Sequence, residues 1–153
     1  MQNKYKLPDH VKGSTLSVVK CYEAYKREIK EEENKILSLG GSNYESVGNE
    51  RVFLPNGKGG VNSPTEDKAI QLEKIHNSYK YRCVKAVESA LRELPIEATP
   101  AIAKKIRQAI YSSCTKGRCF NFAYAGLDCI GKTTFYRYRN IFLFLVAKKI
   151  GIL

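Results

Sequence analysis

An all-α fold, with long N-terminal helices followed by a C-terminal helix-turn-helix, is predicted by three observations. Apolar residues recur at three- and four-residue steps through most of the 153-residue chain. Helix-start chemistry precedes those runs at Ser14, at Ser63-Pro64 and at Thr99-Pro100, and glycines close the first and the last of them at Gly40-Gly41 and Gly151. Hydrophobic content of 43% and aromatic content of 10% supply enough apolar surface for a packed core. A chain of this length makes one domain or two small helical lobes.

The first helix is predicted from Ser14 to Leu39. Ser14 caps it, and Leu16, Val19, Tyr22, Tyr25, Ile29, Ile36 and Leu39 form its apolar stripe. The acidic run Glu31-Glu32-Glu33 is expected on the wet face, because charge runs ordinarily solvate a helix. Gly40–Asn62 follows, with six glycines (40, 41, 48, 57, 59, 60) and Pro55, and reads as a flexible linker in which Arg51–Leu54 makes a short strand. Its Pro55–Gly60 stretch lacks the spacing of a phosphate-cradling loop.

Ser63 at N-cap, Pro64 at N1 and Glu66 at N3 form a capping box for a second long helix. Its stripe is Leu72, Ile75, Tyr79, Cys83, Ala86, Ala90 and Leu94, with His76 at the boundary, and Pro95 ends it. Thr99-Pro100 opens a third helix running to about Ser113, with Ile102, Ile106 and Ile110 inward. Cys114–Arg118 then makes a basic turn, Phe120 to Gly126 a short fourth helix, and Lys132 to Ile150 a fifth, closed by Gly151. The predicted organisation is therefore a helix over 1–39, a flexible Gly-rich linker over 40–62, a second long helix over 63–100 and a basic helix-turn-helix region over 101–153.

Charge concentrates in that last region. Residues 101–153 hold ten Lys/Arg and a single acid, Asp128, whereas the first hundred carry 16 basic and 14 acidic side chains. Clustered cations of this kind suit a polyanion, because they release condensed counterions when they bind. On the fifth helix Phe135, Tyr138, Phe142, Leu145 and Val146 face the core. Thr133, Tyr136, Arg137 and Asn140 fall at i, i+3, i+4 and i+7 on the other face. Arg bridges guanine, Asn bridges adenine, and the Thr methyl meets the thymine methyl, so these side chains match base edges in duplex DNA. Lys132 and Thr134 at the helix start, with Arg139, Lys116 and Arg118, are placed to hold phosphates. Lys148 and Lys149 would do so from farther away.

Other chemistries find little to work with. The longest apolar run, Ile141–Ala147, is far short of the roughly 20 residues that cross a bilayer. The polar Met1–Lys12 has no apolar core of a secretory signal, and a cytoplasmic protein is expected. Five cysteines (21, 83, 114, 119, 129) include no C-x-x-C pair. Reduced thiols are the simplest reading, and no metal or cofactor is expected, since Cys114, Cys119, Cys129 and His76 match no common zinc spacing. Two histidines and no paired carboxylates in an apolar setting leave no site for an enzyme. The first helix either pairs within the monomer or forms a homodimer interface, and periodicity does not choose. Two alternatives to a DNA-reading regulator stay open: a small terminase-like DNA-packaging subunit, and a helical module that binds polymerase or another protein without reading DNA.

Lys132-Thr-Thr-Phe-Tyr-Arg-Tyr-Arg139, the apolar Ile141–Ala147 and the closing Lys148–Leu153 together resemble the C-terminus of the RinA/ArpU-like phage late-gene transcriptional regulators. Tyr22–Ile29 is similar to that family's first helix, and Gly59–Ala69 to its linker and second-helix start. Where the family carries a Leu, a turn Gly and a capping Ser, this chain has Asp128, Cys129 and Gly131. The resemblance implies a helix-turn-helix like that of region four of bacterial sigma factors. It further implies a phage or prophage protein that binds DNA near a late promoter and activates transcription by the host RNA polymerase.

Overall fold

The computed structural model describes residues 4–38, 44–47, 50–53, 64–116 and 130–153. In chain order the described elements are α1 (Asp9–Ser38), β1 (Tyr44–Val47), β2 (Glu50–Phe53), α2 (Pro64–His76), α3 (Tyr79–Glu93), α4 (Pro100–Lys116) and α5 (Lys132–Ile150). The protein is built from helices, as the periodicity predicts, with one small hairpin. Among the described residues no helix is long and apolar enough to cross a membrane. The chain forms two compact units, one of Met1–Ala24 with Arg82–Leu153 and one of Tyr25–Tyr81. The boundary falls within α1, after Ala24; before it, Tyr22 is tied to Glu88 of α3 by a hydrogen bond and to Tyr111 of α4 by a ring contact.

Helix α4 runs to Lys116, so Cys114–Lys116, expected in a basic turn, are helical, and three further elements differ from the predicted ones for local reasons. Helix α1 begins at Asp9, not Ser14: the Lys12 N–H donates to Pro8 O at 2.9 Å, so Pro8 closes the first turn. Asp9 then lies in the positive end of the helix, where a carboxylate is favoured. Ser14 instead bonds back to His10 O at 3.0 Å as an interior residue. The long second helix is two helices, interrupted at Asn77-Ser78. There the Ser78 hydroxyl accepts from the Tyr81 N–H at 3.3 Å and caps α3. The break resets the helical phase, so Tyr79 leaves the apolar stripe and is 50% exposed. The third difference is the hairpin: β1 pairs antiparallel with β2, Tyr44 opposite Phe53 and Val47 opposite Glu50. The sequence predicts the strand at Arg51–Leu54 but not its partner at Tyr44–Val47. Ser63, Leu39 and the rest of 40–62 lie outside the described residues.

The first unit packs around α5. Phe135, Phe142, Leu143, Val146 and Ala147 on that helix are fully buried, with Tyr138 and Ile141 nearly so. Ile141 to Ala147 is apolar all round, and a helix of that kind belongs in the middle of a bundle. The inward stripe predicted from the sequence holds except at Leu145, which is half-buried. Val19 of α1, Val87 and Ala90 of α3 and Ile110 of α4 complete the core at 0% exposure. Each fully buried side chain of Val, Leu or Phe size contributes about 1.5–3 kcal/mol of transfer free energy.

Polar ties set the packing of the same helices. The Tyr22 hydroxyl donates to Glu88 Oε1 at 3.0 Å, linking α1 to α3. Arg107 Nε donates to Leu91 O at 2.8 Å, linking α4 to α3. The Glu97 N–H donates to the Tyr138 hydroxyl at 3.3 Å, holding the α3–α4 connection on α5. The first half of α1 is thus tied to α3 within the chain.

Tyr111 of α4 stands edge-on to Tyr22 at 5.5 Å, and its hydroxyl reaches Glu23 Oε1 at 3.5 Å. Burial, and then the Glu23 charge, push its pKa from 10.0 up to about 12. The folded state therefore holds this proton more tightly than the unfolded chain. Its contribution is fully present below pH 10 and is lost as pH rises to about 12. The difference in stability between wild type and Tyr111→Phe should shrink across that interval in chemical denaturation. Parallel curves would contradict it.

In the second unit, Ile29 of α1 and Ile75 of α2 are buried. His76 Nε2 lies 3.0 Å from Glu33 Oε1, and its ring stacks on Tyr81 with centroids 4.6 Å apart. Lys80 pairs with Glu28, whose hydrogen bond and charge raise the lysine pKa. Within the acidic run, Glu31 and Glu32 are exposed as expected, but Glu33 is occupied by His76.

Candidate nucleic-acid interface

Helix α5 starts from an extended Gly131 (φ −71°, ψ 148°), and among the described residues no side chain caps it. The first intrahelical bond is from the Phe135 N–H to Gly131 O at 3.0 Å. The N–H groups of Lys132, Thr133 and Thr134 precede that bond and have no helical acceptor. They form the positive end of the helix dipole beside the Lys132 ammonium, a suitable seat for an anion. At its other end Gly151 turns left-handed at φ 79°, where a side chain would be strained.

From this start, side chains advance by about 100° per residue. Thr133, Tyr136, Arg137 and Asn140 accordingly fall within one arc. With Tyr5 they line a single open cleft of about 370 Å³. Thr133, Tyr136 and Arg137 are exposed, and Asn140 is half-buried. Tyr136 is 43% exposed and packs edge-on against the buried Phe135 ring at 5.7 Å, so its position is held from below. No acid occurs anywhere on α5. The face therefore presents a guanidinium, a carboxamide, a hydroxyl and a phenol, groups that suit the hydrogen-bonding edges of a large ligand.

The remaining predicted residues distribute around this face. Lys132 is exposed at the helix start. Thr134 is exposed but faces elsewhere. It lines a second cleft, of about 420 Å³, with Gly131, Tyr138, Glu97, Thr99 and Ile106. Lys116 is exposed at the end of α4, and Arg118 lies outside the described residues. So do the short helix expected at 120–126, the turn, Asp128, Cys119 and Cys129.

Two cations are not placed as the sequence suggested. Arg139 is half-buried, and its Nε is enclosed with no hydrogen-bond partner among the described residues. Its charge lies near the buried Cys114, whose thiol pKa is raised by burial and drawn back partly by Arg139. A guanidinium turned toward the core in this way contributes less to a phosphate contact than an exposed one. Lys149 pairs with Glu93 at 2.8 Å and so is not a free cation. That hydrogen bond, followed by one from Ser89, holds the Glu93 carboxyl below its usual range.

One contributor was missed. Tyr5 reaches α5 from the segment before α1, its ring edge-on to Phe144 at 5.4 Å. The alternation Lys4-Tyr5-Lys6 is the available signal in the sequence, an aromatic ring between two cations, but helical periodicity does not reach it. Among the described residues no three His, Cys, Asp or Glu side chains group as metal ligands.

The chain matches no family model, no curated protein and no solved structure.

Proposed function

We propose that this protein is a sequence-specific duplex-DNA-binding transcription regulator with no catalytic step of its own. The observation that carries the reading is that Thr133, Tyr136, Arg137 and Asn140 share one open face on an acid-free helix. Arg137 and Asn140 are the base-reading side chains, with Thr133 and Tyr136 at the edges of the contact. Lys132, the first-turn N–H groups and Lys116 hold phosphates and fix the register. The resemblance of 132–153 to the RinA/ArpU-like regulators extends the proposal to an activator of phage or prophage late genes. In that role it works with host RNA polymerase in the cytoplasm.

Selection of fragments from the source genome by the purified protein tests this reading. A recovered site should bind about 10³–10⁷ times more tightly than random duplex at physiological salt. Recovery of fragments no tighter than random duplex would refute sequence reading and leave only electrostatic attraction.

A further inference from the structure

The geometry points to a second part of the DNA interface: the segment before α1, with Lys4 and Lys6 gripping the phosphate ridge at the groove's rim and Tyr5 anchoring them on α5. This inference rests on the DNA-binding reading of α5 and adds residues on which neither the charge count nor the helix face depends.

The cleft on α5 has a wall that α5 does not supply. Tyr5 lines it together with Thr133, Tyr136, Arg137 and Asn140, its ring held against Phe144. Phe144 is four residues beyond Asn140, one turn farther along the same arc. The segment therefore crosses α5 where its polar face ends.

Thr133 to Asn140 spans about 10 Å of helix axis at 1.5 Å per residue. The major groove is about 12 Å wide. A helix that presents this face to base pairs thus brings its next turn, and whatever lies over it, to the sugar-phosphate border. Lys4 and Lys6 flank the anchoring ring, and both are exposed.

A smaller adjoining cleft of about 140 Å³ has the same sign. Tyr5, Lys6, Asp9, Lys12 and Asn140 share it, so two cations outnumber its one acid next to a base-reading carboxamide. Duplex DNA is the occupant that suits both clefts, because a groove-filling helix and a flanking cationic strap match base edges bordered by phosphates. An RNA duplex suits them poorly, since its major groove is too narrow for a helix to read.

The test is a salt titration of full-length protein on a short DNA duplex of random sequence, an RNA duplex of equal length and the recovered genomic site. The double variant Lys4→Ala/Lys6→Ala should flatten the log–log salt slope on DNA by about 2, at roughly 0.9 per lost phosphate contact. The ratio of site to random affinity should not change. Tyr5→Ala should flatten the slope similarly, whereas Tyr5→Phe, which keeps the ring contact, should behave as wild type. Both lysines precede α1 and are exposed, so the fold is not at stake in the double variant. An unchanged slope in that variant, while Lys116→Ala still flattens it, would overturn the strap and leave the α5 reading standing. A loss confined to the RNA duplex would also overturn it. Absence of any salt-dependent binding by wild type would remove the parent reading and the strap together.

Discussion

Phe142→Ala will destabilise the unit formed by residues 1–24 and 82–153 by about 3–5 kcal/mol, the range for deleting a buried phenyl ring. Phe142 is at 0% exposure, and so are Phe135, Leu143 and Val146 on the same helix. Its loss leaves a cavity in the middle of the bundle, which packed neighbours only partly refill. Domains of this kind have about 5–15 kcal/mol in total, so roughly a fifth or more of the stability is at stake. Denaturant titration should show a lower midpoint at an unchanged m-value. Tyr136→Ala, six residues earlier but 43% exposed, should shift stability by no more than about 0.5 kcal/mol. Equal effects of the two substitutions would mean that α5 is not the central helix of its unit.

Arg137→Ala will cost about 1–3 kcal/mol of binding free energy on the recovered site and relax base preference at one position. Its guanidinium is exposed on the open face and has no acid on its own helix to engage it. Lys116→Ala, by contrast, should weaken every sequence alike and flatten the salt slope by about one unit. The two substitutions remove one positive charge each, so charge alone predicts identical outcomes. A loss on Arg137→Ala that is the same for specific and random duplex would assign this residue to phosphate, not to bases.

The pairing of these predictions follows how much of the molecule its sequence discloses. Helix α5 was legible to the residue, because Gly131 and Gly151 bracket it and its apolar and polar positions separate cleanly until Ile141. Helix α4 was legible at its start, where the Ala103 N–H donates to Thr99 O at 2.8 Å, although it continues past Ser113 to Lys116. The break at Asn77-Ser78 was not, since the apolar spacing continues through it; only the Ser78 cap distinguishes two helices from one. The hairpin had a readable cue in Gly48-Asn49 between two short strand-like runs, but abundant glycine nearby obscured it.

The candidate site divides in the same way. Periodicity placed Thr133, Tyr136, Arg137 and Asn140 together, because helical geometry alone decides which residues share an arc. It was silent on Tyr5, whose place depends on tertiary contact with Phe144. It does not disclose the surroundings of Arg139, which lies about 120° away from Thr133 on the helix and interacts with Cys114. Periodicity identifies a face; packing decides what that face meets.

Guanine N7 protection on the recovered site, read at single-base resolution, examines the contact between α5 and the bases most directly, since N7 is accessible only from the major groove. Wild type should protect at least one guanine, and Arg137→Ala should restore reactivity at that guanine while neighbouring protections persist. Full N7 reactivity across a site that the protein demonstrably occupies would contradict the account, because the polar face of α5 would then lie away from the base pairs.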